Sequence, residues 1–97
     1  MPKGYWIAHG RVDDPQAYDA YRAANAAPLA EHGGRFLVRG GERETVEGDA
    51  KPRTVVIEFP SYEAALACYR SDAYQAAIKL REGISESDLV IAEGYDG

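Results

Sequence analysis

The chain carries one cysteine, two histidines, one tryptophan and one methionine in 97 residues. A lone Cys68 excludes an intramolecular disulfide and a cysteine-built zinc site, and it reads as a small, partly buried hydrophobe on a helix. His9 and His32 stand in no H-x-x-x-H or E-x-x-H pattern, so no metal site is expected. Positive charge is scarce too: 11 Lys and Arg face 16 Asp and Glu, for a formal net charge of −5. That balance opposes binding to nucleic acid, whose phosphate backbone needs a basic face, and to an anionic membrane surface. No apolar run approaches the roughly 20 residues of a membrane span, and Met1-Pro2-Lys3-Gly4 lacks a signal-peptide hydrophobic region. A cytoplasmic location is expected. The glycine pairs match no phosphate-binding loop, since Gly40-Gly41 follow a strand but open no helix. No cofactor is therefore expected, and no recognised catalytic motif is present.

What remains is the pattern of a globular chain, read as one domain over residues 1–97. At this length about 60–65% of the unfolded surface is buried, a marginal core that self-association would enlarge. Tyr5 to Val12 predicts a strand, aromatic and β-branched, closed by Asp13-Asp14. Asp14-Pro15 starts a helix, the aspartate capping free N–H groups and the proline fitting the first turn. It runs to about Glu31 and ends at Gly33, with Pro28 kinking the last turn. Arg35 to Val38 is a second strand, with Gly40-Gly41 as a bend before it resumes through Glu42 to Val46. After turn chemistry at 47–52, Arg53 to Phe59 pairs back as a hairpin. Ser61 caps a second helix, interrupted at Ser71-Asp72, whose continuation carries Tyr74, Ala77, Ile78 and Arg81. Leu89 to Ala92 is the last strand.

The order βαββαβ is that of a ferredoxin-like α+β fold, a four-stranded antiparallel sheet with two helices on one face. Alternation assigns Trp6, Ala8, Phe36, Val38, Val55, Ile57, Phe59 and Val90 to the helix side. The opposite face then holds Ile7, Leu37, Val56, Leu89 and Ile91, with His9, Arg11, Arg39, Glu58 and Glu93 towards the strand ends. So large an apolar patch predicts a homodimer with two sheets packed face to face, its polar members around the space between them.

Several polar residues on these faces are candidates for a site. His9 could move a proton, because an unperturbed imidazole ionises near neutrality, although a hydrogen-bonded structural histidine is the commoner outcome. Glu58 is the alternative proton carrier. Arg39 could hold a carboxylate bidentately, or else pair with Glu58 or Glu93. Asn25 falls on the helix arc of Tyr18, Tyr21, Pro28 and Leu29, so its amide either bonds backbone freed by Pro28 or reaches a cavity. Tyr69 and Tyr74 suit core packing, with hydroxyls that could meet a ligand. His32, in the last turn of the first helix, suits the free carbonyls there.

Gly33-Gly34-Arg35-Phe36-Leu37-Val38-Arg39-Gly40-Gly41, Val56-Ile57-Glu58-Phe59-Pro60-Ser61 and Tyr69-Arg70-Ser71-Asp72-Ala73-Tyr74-Gln75 closely resemble domain-of-unknown-function family 1330. The opening Gly4-Tyr5-Trp6-Ile7-Ala8-His9 and the closing Glu93-Gly94-Tyr95 are similar to it as well. The resemblance implies the dimeric α/β-barrel superfamily, whose members include cofactor-independent monooxygenases and haem-handling enzymes. It assigns no chemistry to this chain, because a shared fold is not a shared activity.

The residues thus frame two readings. One is a small-molecule binding protein, or cofactor-independent enzyme, taking an anionic or polar metabolite: Arg39 holds the anion, His9 or Glu58 handles a proton, and Asn25, Tyr69 and Tyr74 orient the ligand. The other is a non-enzymatic regulatory or interaction module with its site at the subunit interface. RNA binding on the open sheet is not expected, because Arg53 to Phe59 offers no aromatic platform there.

Overall fold

Local signals set the helix ends. In the computed structural model, which describes residues 2–96, Asp14 accepts a hydrogen bond from the Ala17 N–H and caps α1, Pro15–Glu31. Gly33 closes that helix at φ +77°, a left-handed conformation that suits glycine. His32 donates its backbone N–H to the Pro28 carbonyl, and its Nδ1 lies 2.8 Å from the same oxygen. Ser61 caps α2, Tyr62–Arg70, through the Ala64 N–H. Ser71 then ends α2 and caps α3, Asp72–Ile78, which runs into a 3-10 turn at Lys79–Arg81.

The strands are β1 (Gly4–Val12), β2 (Arg35–Arg39), β3 (Arg53–Phe59) and β4 (Ser85–Glu93), ordered β2-β3-β1-β4 with every neighbouring pair antiparallel. This is the ferredoxin-like arrangement. Trp6, Ile57 and Phe59 from the sheet pack with Tyr21 and Leu29 of α1, Ala65 and Cys68 of α2, and Tyr74 and Ala77 of α3. The Trp6 indole sits at the centre, 5.2 Å from the Phe59 ring and 4.9 Å from Tyr74, and it donates to the Ala65 carbonyl. That bond satisfies its one polar atom in a dry core.

Three expectations from alternation are corrected. In β2, Phe36 pairs with Ile57 but Val38 pairs with Val56, so Leu37 is an extra residue in a β-bulge. The bulge reverses the side-chain parity beyond it: Val38 joins the open face and Arg39 turns to the helix side, over the Phe36 ring at 4.2 Å. β4 begins at Ser85 rather than Leu89, and its register, Trp6 opposite Ile91 and Ile7 opposite Val90, puts Leu89 and Ile91 under the helices and Val90 outside. Residues 42–46 form no strand; Arg43 instead binds the carbonyls of Ala50, Lys51 and Pro52 and holds the hairpin loop together.

The open face then carries one continuous apolar row. Val38, Val56, Ile7 and Val90 stand opposite one another across all four strands. Ile7, Val38 and Val90 are exposed.

Candidate functional site

A cavity of about 80 Å³ lies between the sheet, α1 and α3. Its floor is Trp6, Ala8, Val55 and Ile57, side chains that alternate onto the helix side of the central strands. Its roof comes from α1, where Tyr18, Tyr21 and Asn25 fall three and four residues apart on one stripe, and from Tyr74 of α3. The floor and roof, buried or half-buried, contrast with exposed Arg11, Arg22, Arg39 and Glu86, so the mouth lies where β1 and β2 end and β4 begins.

Two polar atoms in this region are buried without a hydrogen-bond partner among the described residues: Asn25 Oδ1 and Arg81 Nε. Asn25 is 7% exposed. A buried amide oxygen left unpaired costs about 1–3 kcal/mol, so packing alone gives no reason for its presence. The backbone group that Pro28 frees is the Ala24 carbonyl, an acceptor, and the orphaned Asn25 Oδ1, itself an acceptor, cannot pair with it.

Five arginines line the cavity, Arg11, Arg22, Arg39, Arg53 and Arg81, against one acid, Glu86. This local excess is opposite in sign to the chain's formal net charge of −5. Arg11 bonds Asp13 at 2.8 Å and Glu86 at 3.0 Å, and Arg22 lies 3.6 Å from Asp19. Arg39, Arg53 and Arg81 rest on aromatic faces instead, over Phe36, Tyr18 and Tyr21 at 4.2, 5.9 and 5.1 Å. An added side-chain carbon at Gly40 would come within 2.6 Å of Arg53 Nε, so the glycine leaves room for that guanidinium to lie across the hairpin.

The Tyr21 and Tyr74 hydroxyls bond at 2.5 Å. Burial, then the neighbouring Tyr21, drives the Tyr74 phenol far above its ordinary range, and burial raises Tyr18 as well. These phenols therefore stay protonated at neutral pH and act as hydrogen-bonding groups rather than bases.

Of the residues singled out in the sequence, Asn25, Arg39 and Tyr74 line this one cavity. Tyr69 lies behind it, 6.0 Å from Trp6 and 5.6 Å from Tyr74 between ring centres, and borders a separate hollow with Leu66 and Ile91. His9 and Glu58 are on the other side of the sheet. His9 Nδ1 is 2.9 Å from Thr54 Oγ1, and Glu58 accepts from Tyr5 at 3.1 Å and from Arg35 at 3.3 Å. Glu93 pairs with Gly4 and so does not share a face with Glu58. Arg53, Arg81 and Tyr21 were not singled out for the site. The signal for Arg81 was present, a cation in line with Tyr74, Ala77 and Ile78 on an apolar helix stripe.

Among the described residues, no three His, Cys, Asp or Glu side chains form a group that could hold a metal ion, and no helix is long and apolar enough to cross a membrane.

Solved structures share the fold. The RPA0582 protein of unknown function from Rhodopseudomonas palustris superposes with a TM-score of 0.76 at 19% identity, over 99% of this chain and 85% of that one. SnoaB, a cofactor-independent oxygenase from Streptomyces nogalater, gives 0.66 at 15% identity, over 100% and 97%. An ethyl tert-butyl ether D (EthD) family protein from Bacillus halodurans C-125 gives 0.55 at 18% identity, over 98% and 100%. No curated protein matches the sequence. The family model for a domain of unknown function, DUF1330, matches residues 3–95 from the first strand through the last, and the chain belongs to that family.

Proposed function

We propose that this protein binds a small anionic metabolite in the cavity between α1, α3 and the sheet. The observation that carries the reading is the buried, unpartnered Asn25 amide oxygen in a cavity whose lining is cationic in an acidic protein. Arg39 holds the anionic group at the mouth, and Asn25 and Tyr74 orient the ligand within. Tyr69 supports Tyr74 from behind. His9 and Glu58 serve the opposite face, so proton handling by either belongs to a site there and not to this cavity.

Binding is better supported than turnover, because the one carboxylate on the cavity wall, Glu86, is bonded to Arg11, and Tyr18 and Tyr74 stay protonated. Turnover without a cofactor, the activity named for the Streptomyces nogalater protein, would use the same cations to stabilise negative charge developing on the ligand. We also propose that the open face, with its row of Val38, Val56, Ile7 and Val90, is covered by a second copy of the chain.

Trp6 is the single tryptophan and forms part of the cavity floor, so its emission reports occupancy. Titration with benzoate as the probe is expected to change that emission saturably, and Asn25→Leu to abolish the change while the far-UV circular dichroism stays the same. No saturable change up to about 10 mM benzoate would remove the reading.

A further inference from the structure

We propose that the ligand is a dianion, a small flat molecule with an acidic group at each end. This rests on the binding reading above and specifies its chemistry. Three guanidinium groups at the cavity, those of Arg39, Arg53 and Arg81, form no ion pair among the described residues. One negative charge would leave the excess largely unmatched, and two would nearly balance it.

The elements that carry Arg39 and Arg81 stand at opposite edges of the sheet and make two poles. Arg39 belongs to β2, at one edge of the sheet, and Arg53 to the adjacent β3. Arg81 belongs to the turn that leads into β4, at the other edge, where its guanidinium lies over Tyr21 and its Nε is buried without a partner. Strands β2 and β4 are three spacings apart, roughly 14 Å between backbones, and long side chains reaching inward shorten that gap. Between the poles the walls are aromatic and aliphatic: Trp6, Phe36, Tyr18 and Val55. The cavity of about 80 Å³ is on the scale of a single flat ring, whose acidic groups would reach out of it to the guanidinium groups. A ring in the cavity with an acidic group towards each pole satisfies both the charge and the shape. Each guanidinium can hold a planar carboxylate through two parallel N–H donors.

The probes are benzamide, benzoate and the three benzenedicarboxylates, titrated into the wild-type protein at low and moderate salt with Trp6 emission as readout. The proposal expects at least one benzenedicarboxylate to bind about tenfold or more tighter than benzoate, with a steeper loss on adding salt. Arg39→Gln, at the exposed edge of the sheet, is expected to erase the dicarboxylate's advantage, so that it binds this variant no tighter than benzoate does. Benzoate binding as tightly as every dicarboxylate overturns the dianion while leaving anion binding intact. Benzamide binding as tightly as benzoate overturns both, as does failure of all five compounds to bind.

Discussion

The hydroxyl of Tyr21 on α1 meets that of Tyr74 on α3 at 2.5 Å, beside the cavity and within the aromatic cluster around Trp6. Each is the other's partner in a buried setting. Tyr21→Phe or Tyr74→Phe alone is expected to lower stability by about 1–2 kcal/mol in urea denaturation, since one hydroxyl then lacks its partner. The double variant is expected to lose less than the sum, a coupling of about 1 kcal/mol. Strict additivity would mean that the two groups do not depend on one another.

Cys68 gives a pH signature. Its thiol is pushed up from an ordinary 9.0 to about 11, first by burial and then by the Glu31 charge. The folded state therefore keeps a proton that the unfolded chain releases, so this group leaves stability unchanged below pH 9 and lowers it from 9 to 11. The urea midpoint is expected to fall less over that window in Cys68→Ala than in the wild type. The native thiol is also expected to resist a disulfide reagent at pH 8 until the protein unfolds.

Gly4 is set by contact rather than by turn geometry. A side-chain carbon there would collide with the Ser61 carbonyl and the Tyr62 backbone at the start of α2. Gly4→Ala is expected to destabilise by roughly 2 kcal/mol or more, because the obstacle is backbone and cannot rotate away. Thermal unfolding checks this, and a midpoint within a degree or two of the wild type would contradict the close approach of β1 and α2.

On the open face, Val90 is 59% exposed and stands at the end of the apolar row. Val90→Asp should leave a single fold intact, as surface substitutions do, but place charge in a sheet-to-sheet interface. Light scattering after size exclusion is expected to give a dimer for the wild type and a monomer for the variant. A monomeric wild type would end the proposal that a second copy covers this face.

Much of the fold was legible because its signals are local. Asp14-Pro15, Ser61 and Gly33 act within a turn of themselves, and their caps appear where those residues stand. Side-chain parity was less legible, because it depends on a partner strand. The bulge at Leu37 exists only relative to β3, and Ser85–Asp88 becomes strand because β1 residues 9–12 pair with it rather than by its own polar composition. Those two facts decide which side Arg39 and Leu89 take. Asn25 was visible as a polar residue on a buried arc. Arg53 was not, since an arginine opening a strand reads as solvated until Gly40 and Tyr18 are seen around it.

The extra residue at Leu37 has a genetic consequence. Deleting that one codon would leave β2 with regular alternation and with Val38 still opposite Val56 on the open face and Arg39 still opposite Val55 on the helix side. A three-nucleotide deletion would remove the bulge and leave both the cation at the cavity mouth and the apolar row in place. The length of β2 is thus free to vary by its bulge residue, and the sequences around the cavity and around the open face are free to diverge separately.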